Sequence, residues 1–272
     1  MHTDVAGART HWVEAGTGGT PVVLVHGASL GSSLATWERC LPRLAARGLR
    51  AVAYDQPGFG GTDASPGHSL PERAAFLGQF LTTLGIRTAH LVGHSQSGGM
   101  VVGHALEHPD TVRTVTAVAT GSLLPPATGP APAGHAEGHQ GDPGREPTLD
   151  EVRAQLEANL HDPALATDEA VRARYALSTG AHFTAFQERD RIARAGGGGN
   201  KGLRARLGEL TVPALFLYGA AEPGRVGERV EAARAAHPGG HYALVPHAAH
   251  LLPWEAPEEF ARVVGDFVTG HG

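Results

Sequence analysis

One serine sits where it can be made nucleophilic. In "LVGHSQSGG" (91–99) an apolar run ends at His94, Ser95 follows, and Gly93, Ser97 and Gly98 surround it. A strand that turns abruptly into a helix at such a point lifts the serine Oγ out of the sheet, and its neighbours must be small because strand and helix nearly collide. The usual spacing is G-x-S-x-G, and here Ser97 stands at the last glycine. A hydroxymethyl is the smallest polar group that can replace that hydrogen. The turn also points the N–H of Gln96, at a helix N-terminus, toward an oxyanion formed beside Ser95.

A serine needs a base, and the base needs an orienting acid. Strand–turn–helix sites of this kind order them Ser, acid, His along the chain. "PALFLYGAAEPG" places Glu222 just past an apolar run, and "YALVPHAAHLLPWEAP" places His250 in a loop past the last one, with His247 a rival three residues earlier. Glutamate is the less common acid, and the loop at Pro223–Gly224 must absorb its extra methylene. "VVLVHGASLGSSLATW" ends a further strand at His26-Gly27, and its loop is expected to supply the second oxyanion N–H from Ala28.

These residues need a scaffold. Short apolar runs at 21–26, 50–55, 89–94, 112–119, 213–219 and 241–246 predict buried strands, and their near-continuous apolar character suits a parallel sheet covered on both faces. Helical patterns lie between them at about 33–47, 69–84, 96–108, 225–236 and 256–269. The alternation predicts a doubly wound α/β fold. It breaks between about 122 and 210. A Pro/Gly-rich stretch cannot hold a regular element; then helical sequence runs from Leu149 to about Ala195, including a capped segment at 167–177. We read residues 125–202 as a helical insertion over the sheet's C-terminal edge, and 1–124 and 203–272 as the two parts of the core.

Bulk properties narrow the function classes. The chain has 272 residues, 41% of them hydrophobic, and a formal net charge of −5. That balance argues against nucleic acid and anionic membrane as partners. The single cysteine allows no internal disulfide. No signal segment and no apolar stretch of membrane-spanning length is evident, so a cytoplasmic protein is expected.

Other motifs are read blandly. "HALEH" (104–108) has the spacing of inverted zinc peptidases, but it follows the nucleophile turn and ends at Pro109, and no third ligand is evident. Histidines in "GHAEGHQGD" (134–142) are read as solvated loop residues, since a chain with 17 histidines produces such spacings by chance. Asp55 is expected to bind backbone groups of the "QPGFGG" turn, and His26 to support the oxyanion loop. "GGGGN" (196–200) is read as a connector. No metal and no cofactor is implied.

Taken in order, "HGAS", "YDQPGFGGTD", "GHSQSGG", "EHPDTV", "YGAAE" and "HAAHLLPWEAPEEF" resemble the α/β-hydrolase superfamily over nearly the whole chain. The resemblance implies a mostly parallel eight-stranded sheet flanked by helices, with a helical lid. Residues 146–177 look like the lid of the meta-cleavage product hydrolases, which split C–C bonds in vinylogous 1,5-diketones. That likeness implies that Arg174 anchors a substrate carboxylate, with His94, Ser29 and Trp254 also lining the substrate site. This chain departs from the family in three places: His94 where Asn is common before the nucleophile, no Asn in the oxyanion loop, and Glu222 in place of Asp. The expectation is a cofactor-free serine hydrolase of a small molecule with a reactive carbonyl. The alternatives are a carboxylesterase or lactonase, an acyl-transfer or cyclisation enzyme, and a non-enzymatic receptor on the same fold. Assembly into a homo-oligomer is left open.

Overall fold

The computed structural model describes residues 1–64, 69–127, 144–197 and 202–271. Eight strands form one sheet: β1 His2–Val5, β2 Ala8–Ala15, β3 Val22–Val25, β4 Ala51–Tyr54, β5 Ala89–His94, β6 Val112–Val118, β7 Ala214–Gly219 and β8 His241–Val245. Their order across the sheet is β1-β2-β4-β3-β5-β6-β7-β8. From β4 to β8 every pairing is parallel; β2 is antiparallel to both β1 and β4.

The central strands are apolar on both faces because both faces are covered. Every residue of β3, β4, β5 and β7 is buried. On one face Phe76, Leu77 and Phe80 of α2 (Leu70–Thr83) and Met100 and Val101 of α3 (Gln96–Glu107) join Val230 of α7 (Val226–Ala236) against Val23, Leu91 and Phe216. On the other, Leu44 of α1 (Leu41–Ala46) meets Phe260 and Val264 of α9 (Pro257–Gly270), which follows the short helix α8 (Leu252–Glu255), over Val22, Leu24 and Leu217.

Two expectations about local structure change. The β1–β2 hairpin is not among the strands read from sequence: β2 is only half-buried along most of its length, so it lacks the apolar run that marks the central strands. Its turn puts Ala6 and Gly7 at φ 51° and 84°, the positive-φ pair of a tight hairpin, but without the Asn-Gly signature. The helix read at about 33–47 is a single turn at Leu34–Trp37 followed by α1, which has Pro at its start.

Among the described residues three α-helices lie between β6 and β7: α4 Leu149–Ala158, α5 Asp168–Ala176 and α6 Ala181–Ile192. Thr148 and Glu151 close a reciprocal cap on α4, and Thr167 caps α5. No described residue between 122 and 210 lies in a strand. Val152, Leu156, Leu160, Ala166 and Val171 form a small separate core, onto which Leu251 and Trp254 pack from the loop after β8. The histidines at 134–142 and most of "GGGGN" lie outside the described residues. Among the described residues no helix is long and apolar enough to cross a membrane.

Candidate active site

Ser95 lies between the end of β5 and the start of α3, at φ 56° and ψ −128°. That backbone is strained for a residue with a Cβ, and such strain persists only where surrounding structure holds it. Ser95 N–H donates to Val118 O at 2.7 Å, and Thr120 Oγ1 donates to Ser95 O at 2.9 Å. Side chains cannot be added nearby. A Cβ on Gly93 would run into the Ser97 carbonyl, and one on Gly98 into Thr120 Oγ1.

His250 Nε2 is 3.2 Å from Ser95 Oγ, and its Nδ1 is 3.4 Å from Glu222 Oε2. A carboxylate only accepts, so Nδ1 carries the proton and Nε2 is free to receive one from the serine. Glu222 Oε1 accepts the Gly219 N–H at 3.0 Å, which fixes the carboxylate at the end of β7. The turn after Glu222 accommodates the longer acid through Gly224 at φ 75° and Arg225 in the left-handed region. Gly219 is where β7 meets the histidine loop: a Cβ there would overlap Ala248 O and Ala249 O. Ala221 N–H donates to Ala248 O, so the acid loop and histidine loop are bound directly to each other. His247 is exposed, its ring 5.6 Å from that of His161. The histidine that reaches Ser95 is therefore His250.

The loop after β3 is held by a buried network. Burial pushes the His26 pKa down to about 4, so its ring is neutral. Its Nε2 accepts Gln56 N–H at 3.0 Å, which leaves the proton on Nδ1 to donate to Gly27 O at 2.6 Å. Gln56 Nε2 and Ser97 Oγ both donate to His26 O, at 2.6 and 2.7 Å. Ser97 is thus more than a small residue: its hydroxyl ties the nucleophile turn to the loop that carries Ala28. A Cβ on Gly27 would sit 3.3 Å from Ser95 Cβ, so that loop passes close over the serine. Asp55 binds Leu34 N–H at 2.7 Å, Gly61 N–H at 2.9 Å and His11 Nδ1 at 2.8 Å. It holds loops together and is not directed at Ser95.

His94, expected to line the substrate site, has a partner in the loop after β8. It is buried, and its Nε2–H donates to His250 O at 2.7 Å. Burial holds its pKa at about 3, and Nδ1 has no partner among the described residues. Its ring stands 5.0 Å from the His250 ring. The contact made here is with the backbone of His250. Arg174 Nη2 donates to Leu30 O at 2.9 Å and to Ser29 Oγ at 3.3 Å, so α5 is bound to the loop after β3. Its Nε is shut off from solvent without an acceptor among the described residues, and burial lowers its pKa to about 10. Trp254 lies farther out, against the α4–α5 core and under Arg39.

Sequence reasoning missed Gln56, Arg73, Arg189 and Glu255. A signal existed for Arg73 and Arg189. Each follows buried apolar residues at helical spacing, Arg73 before Phe76, Leu77 and Phe80, and Arg189 after Ala185 and Phe186. A charge on an apolar stripe is a sign of burial. Glu255 gave no such sign. It accepts Ala249 N–H at 2.7 Å and His161 N–H at 2.5 Å, joining the histidine loop to the segment after α4. The rings of His104 and His108 lie 4.7 Å apart, and among the described residues no three His, Cys, Asp or Glu side chains converge as a metal site would require.

A serine at positive φ on a strand–helix turn, a histidine after the last strand and an acid after the one before it are set on an α/β-hydrolase fold. The chain belongs to the alpha/beta hydrolase family, whose profile matches residues 22–263. It is similar to a 2-hydroxy-6-oxononadienedioate/2-hydroxy-6-oxononatrienedioate hydrolase of Paraburkholderia phymatum, 29% identical, with 96% of this chain and 91% of the relative covered. The same-named protein of Burkholderia vietnamiensis is also 29% identical with the same coverage. Among solved structures, a meta-cleavage product hydrolase from Pseudomonas fluorescens IP01 superposes with a TM-score of 0.80 at 23% identity, covering 100% of this chain and 98% of the other. The 2-hydroxy-6-oxo-6-phenylhexa-2,4-dienoate hydrolase of Rhodococcus superposes with a TM-score of 0.81 at 19% identity, covering 98% and 97%.

Proposed function

We propose that the protein is a serine hydrolase that cleaves a C–C bond in a 1,5-diketone or dienoate-type acid. The observation that carries this is the hydrogen-bonded series Glu222–His250–Ser95, with Ser95 held at positive φ. His250 takes the proton of Ser95 Oγ as the oxygen attacks the substrate carbonyl, and Glu222 stabilises the imidazolium. The N–H groups of Ala28 and Gln96 receive the oxyanion, each worth about 2.7–4 kcal/mol of transition-state stabilisation.

A C–C bond needs one step more than an ester. The enol form of the substrate first becomes the ketone: the enol oxygen gives up its proton and the carbon next to the reacting carbonyl gains one, with His250 as the acid–base group. When the tetrahedral adduct collapses, the bonding pair passes to that carbon and is delocalised into the ketone as an enolate. Protonation releases one product. Water, deprotonated by His250, then attacks the acyl group on Ser95 and releases the acid.

Arg174 anchors the substrate carboxylate beside Ser29, and the helices of 125–202 act as a lid over the site. The similarity to the Paraburkholderia and Burkholderia relatives supports this substrate class. The test is a comparison of a ring-fission dienoate with p-nitrophenyl esters, using the wild-type chain and Ser95→Ala. Turnover of the dienoate by the wild type and its loss in a folded Ser95→Ala protein are expected. Ester turnover alone makes the protein an esterase, and turnover surviving in Ser95→Ala removes the assignment.

A further inference from the structure

One buried side chain joins the two segments that carry the oxyanion donors, and the reaction above does not use it. Arg73 lies early in α2, on the face that buries Phe76, Leu77 and Phe80, and is 3% exposed. Its Nη1 donates to Gln56 Oε1 at 3.3 Å and its Nη2 donates to Gln96 Oε1. A planar guanidinium presents donors at fixed angles, so it can hold two acceptors in one geometry, which a lysine ammonium cannot.

Each of those two acceptors leads to one side of the oxyanion position. Gln56 is fully buried, and its Nε2 donates to His26 O at 2.6 Å while its backbone N–H donates to His26 Nε2 at 3.0 Å. His26 and Gly27 open the loop that carries Ala28. The Gln56 amide has one workable orientation. Turned over, its NH2 would face the guanidinium and its oxygen would face His26 O, setting donor against donor and acceptor against acceptor. On the other side Gln96 directly follows Ser95 and is the first residue of α3. The guanidinium therefore spans from the start of α3 to the residue that grips the Ala28 loop.

The positive charge of Arg73 has no counter-ion. Both its acceptors are amide oxygens, and no carboxylate among the described residues pairs with it. Burial lowers its pKa to about 10, and its charge is one of those that oppose protonation of His26. A buried cation without a counter-ion is unfavourable in the resting protein. It becomes favourable where negative charge develops during a reaction, because the field is already in place. We propose that Arg73 is a positioning residue of the oxyanion hole: it braces Gln56 and Gln96, and through them the Ala28 loop and the start of α3, and its charge favours the negative oxygen formed beside Ser95. This deepens the proposed function and rests on Ser95 as the nucleophile. Since the oxyanion exists only after attack, the effect falls on the rate of attack and not on binding.

The test is the labelling of full-length protein by a neutral alkyl fluorophosphonate, followed to saturation so that binding and the maximal rate separate. In this reaction Ser95 Oγ bonds to phosphorus, fluoride leaves, the serine proton passes to His250, and the phosphoryl oxygen takes the oxyanion position. Arg73→Met is expected to lower the maximal rate by about 100-fold and to change half-saturation by less than about threefold. Arg73→Lys keeps the charge without the fork and is expected to recover about tenfold of that loss. Gln96→Glu gives Arg73 a carboxylate partner. It is expected to slow labelling by about tenfold or more while the melting temperature holds or rises, whereas a purely structural tie would leave the rate unchanged. A folded Arg73→Met protein within about threefold of the wild-type rate overturns the proposal, as does a loss that falls on half-saturation alone. If Arg73→Met does not fold, Gln96→Glu decides, and an unchanged rate there overturns the proposal. Labelling of the wild type without turnover of any dienoate leaves the role of Arg73 to these variants and removes only the C–C reading. A wild type that is not labelled at Ser95 removes both.

Discussion

Replacing Glu222 with glutamine changes one atom and reverses a hydrogen bond. Glu222 Oε1 accepts the Gly219 N–H at 3.0 Å, and Oε2 faces His250 Nδ1 at 3.4 Å. In Glu222→Gln the amide oxygen must stay on the Gly219 N–H, because turning the NH2 that way would set two donors against each other. The NH2 group therefore faces His250, and a donor there converts Nδ1 into an acceptor. The ring proton moves to Nε2, which points at Ser95 Oγ from 3.2 Å and can no longer receive its proton. The imidazolium also loses its counter-charge. A wrong tautomer of this kind in a Ser-His-acid site costs about 10⁴-fold in kcat, or about 5.4 kcal/mol at 1.36 kcal/mol per decade. The assay is kcat on the preferred substrate, with circular dichroism to show that the fold is unchanged and fluorophosphonate labelling of Ser95 as a second readout. Both are expected to collapse together. A folded Glu222→Gln protein within about tenfold of wild-type kcat would refute the orienting role of Glu222.

Three further outcomes are expected. Arg174→Gln raises KM for acidic substrates by about 100-fold while leaving neutral esters within a few-fold, since a charge-assisted pair is worth about 1.5–3 kcal/mol; equal effects on both substrates remove the anchoring role. Glu255→Gln keeps one acceptor where the carboxylate serves both Ala249 and His161, so it destabilises the fold by about 2 kcal/mol in urea denaturation and lowers kcat more than it raises KM. An unchanged kcat separates the lid contact from the placement of His250. Finally, His26, His90 and His104 are held down to a pKa of about 4 and His94 to about 3, each chiefly by burial. Below pH 6.5 the unfolded chain takes up protons that the folded chain refuses, so stability is whole above that pH and falls as pH drops toward 4, by about 1.4 kcal/mol per pH unit for each histidine. Urea midpoints that stay level between pH 7 and pH 5 would contradict this.

Legibility in the sequence tracked the range of the interactions involved. The central strands were readable because each is buried on both faces, and the β1–β2 hairpin was not, because its residues are half-exposed and its Ala-Gly turn carries a weak signal. The serine turn was readable because its geometry admits only small neighbours over a few consecutive residues. Ser97 was recognised there as tolerated, yet its bond to His26 O crosses from α3 to the loop after β3, and no local pattern announces it. His94 is expected from the sequence among the substrate-lining residues; the contact from its Nε2 to the His250 carbonyl has no counterpart in any local pattern. That contact spans 156 positions.

The chain order alone determines that a parallel α/β sheet forms, that Ser95 occupies a strand–helix junction, and that an acid and a histidine follow at later strand ends. These follow from period, turn chemistry and small-residue requirements, which act over a few residues. Which histidine meets the serine, and which arginines lose their water, depend on the sheet order that sets β5 between β3 and β6 and carries β7 and β8 alongside. His250 and His247 lie in the same loop, and the contacts of that loop with Gly219, Glu255 and His94 set which of them faces the serine. Arg73, Arg174 and Arg189 sit on three different helices. Their partners, Gln56 and Gln96 for Arg73, Ser29 and Leu30 for Arg174 and Gly58 for Arg189, are set by contacts between distant segments that no local pattern encodes.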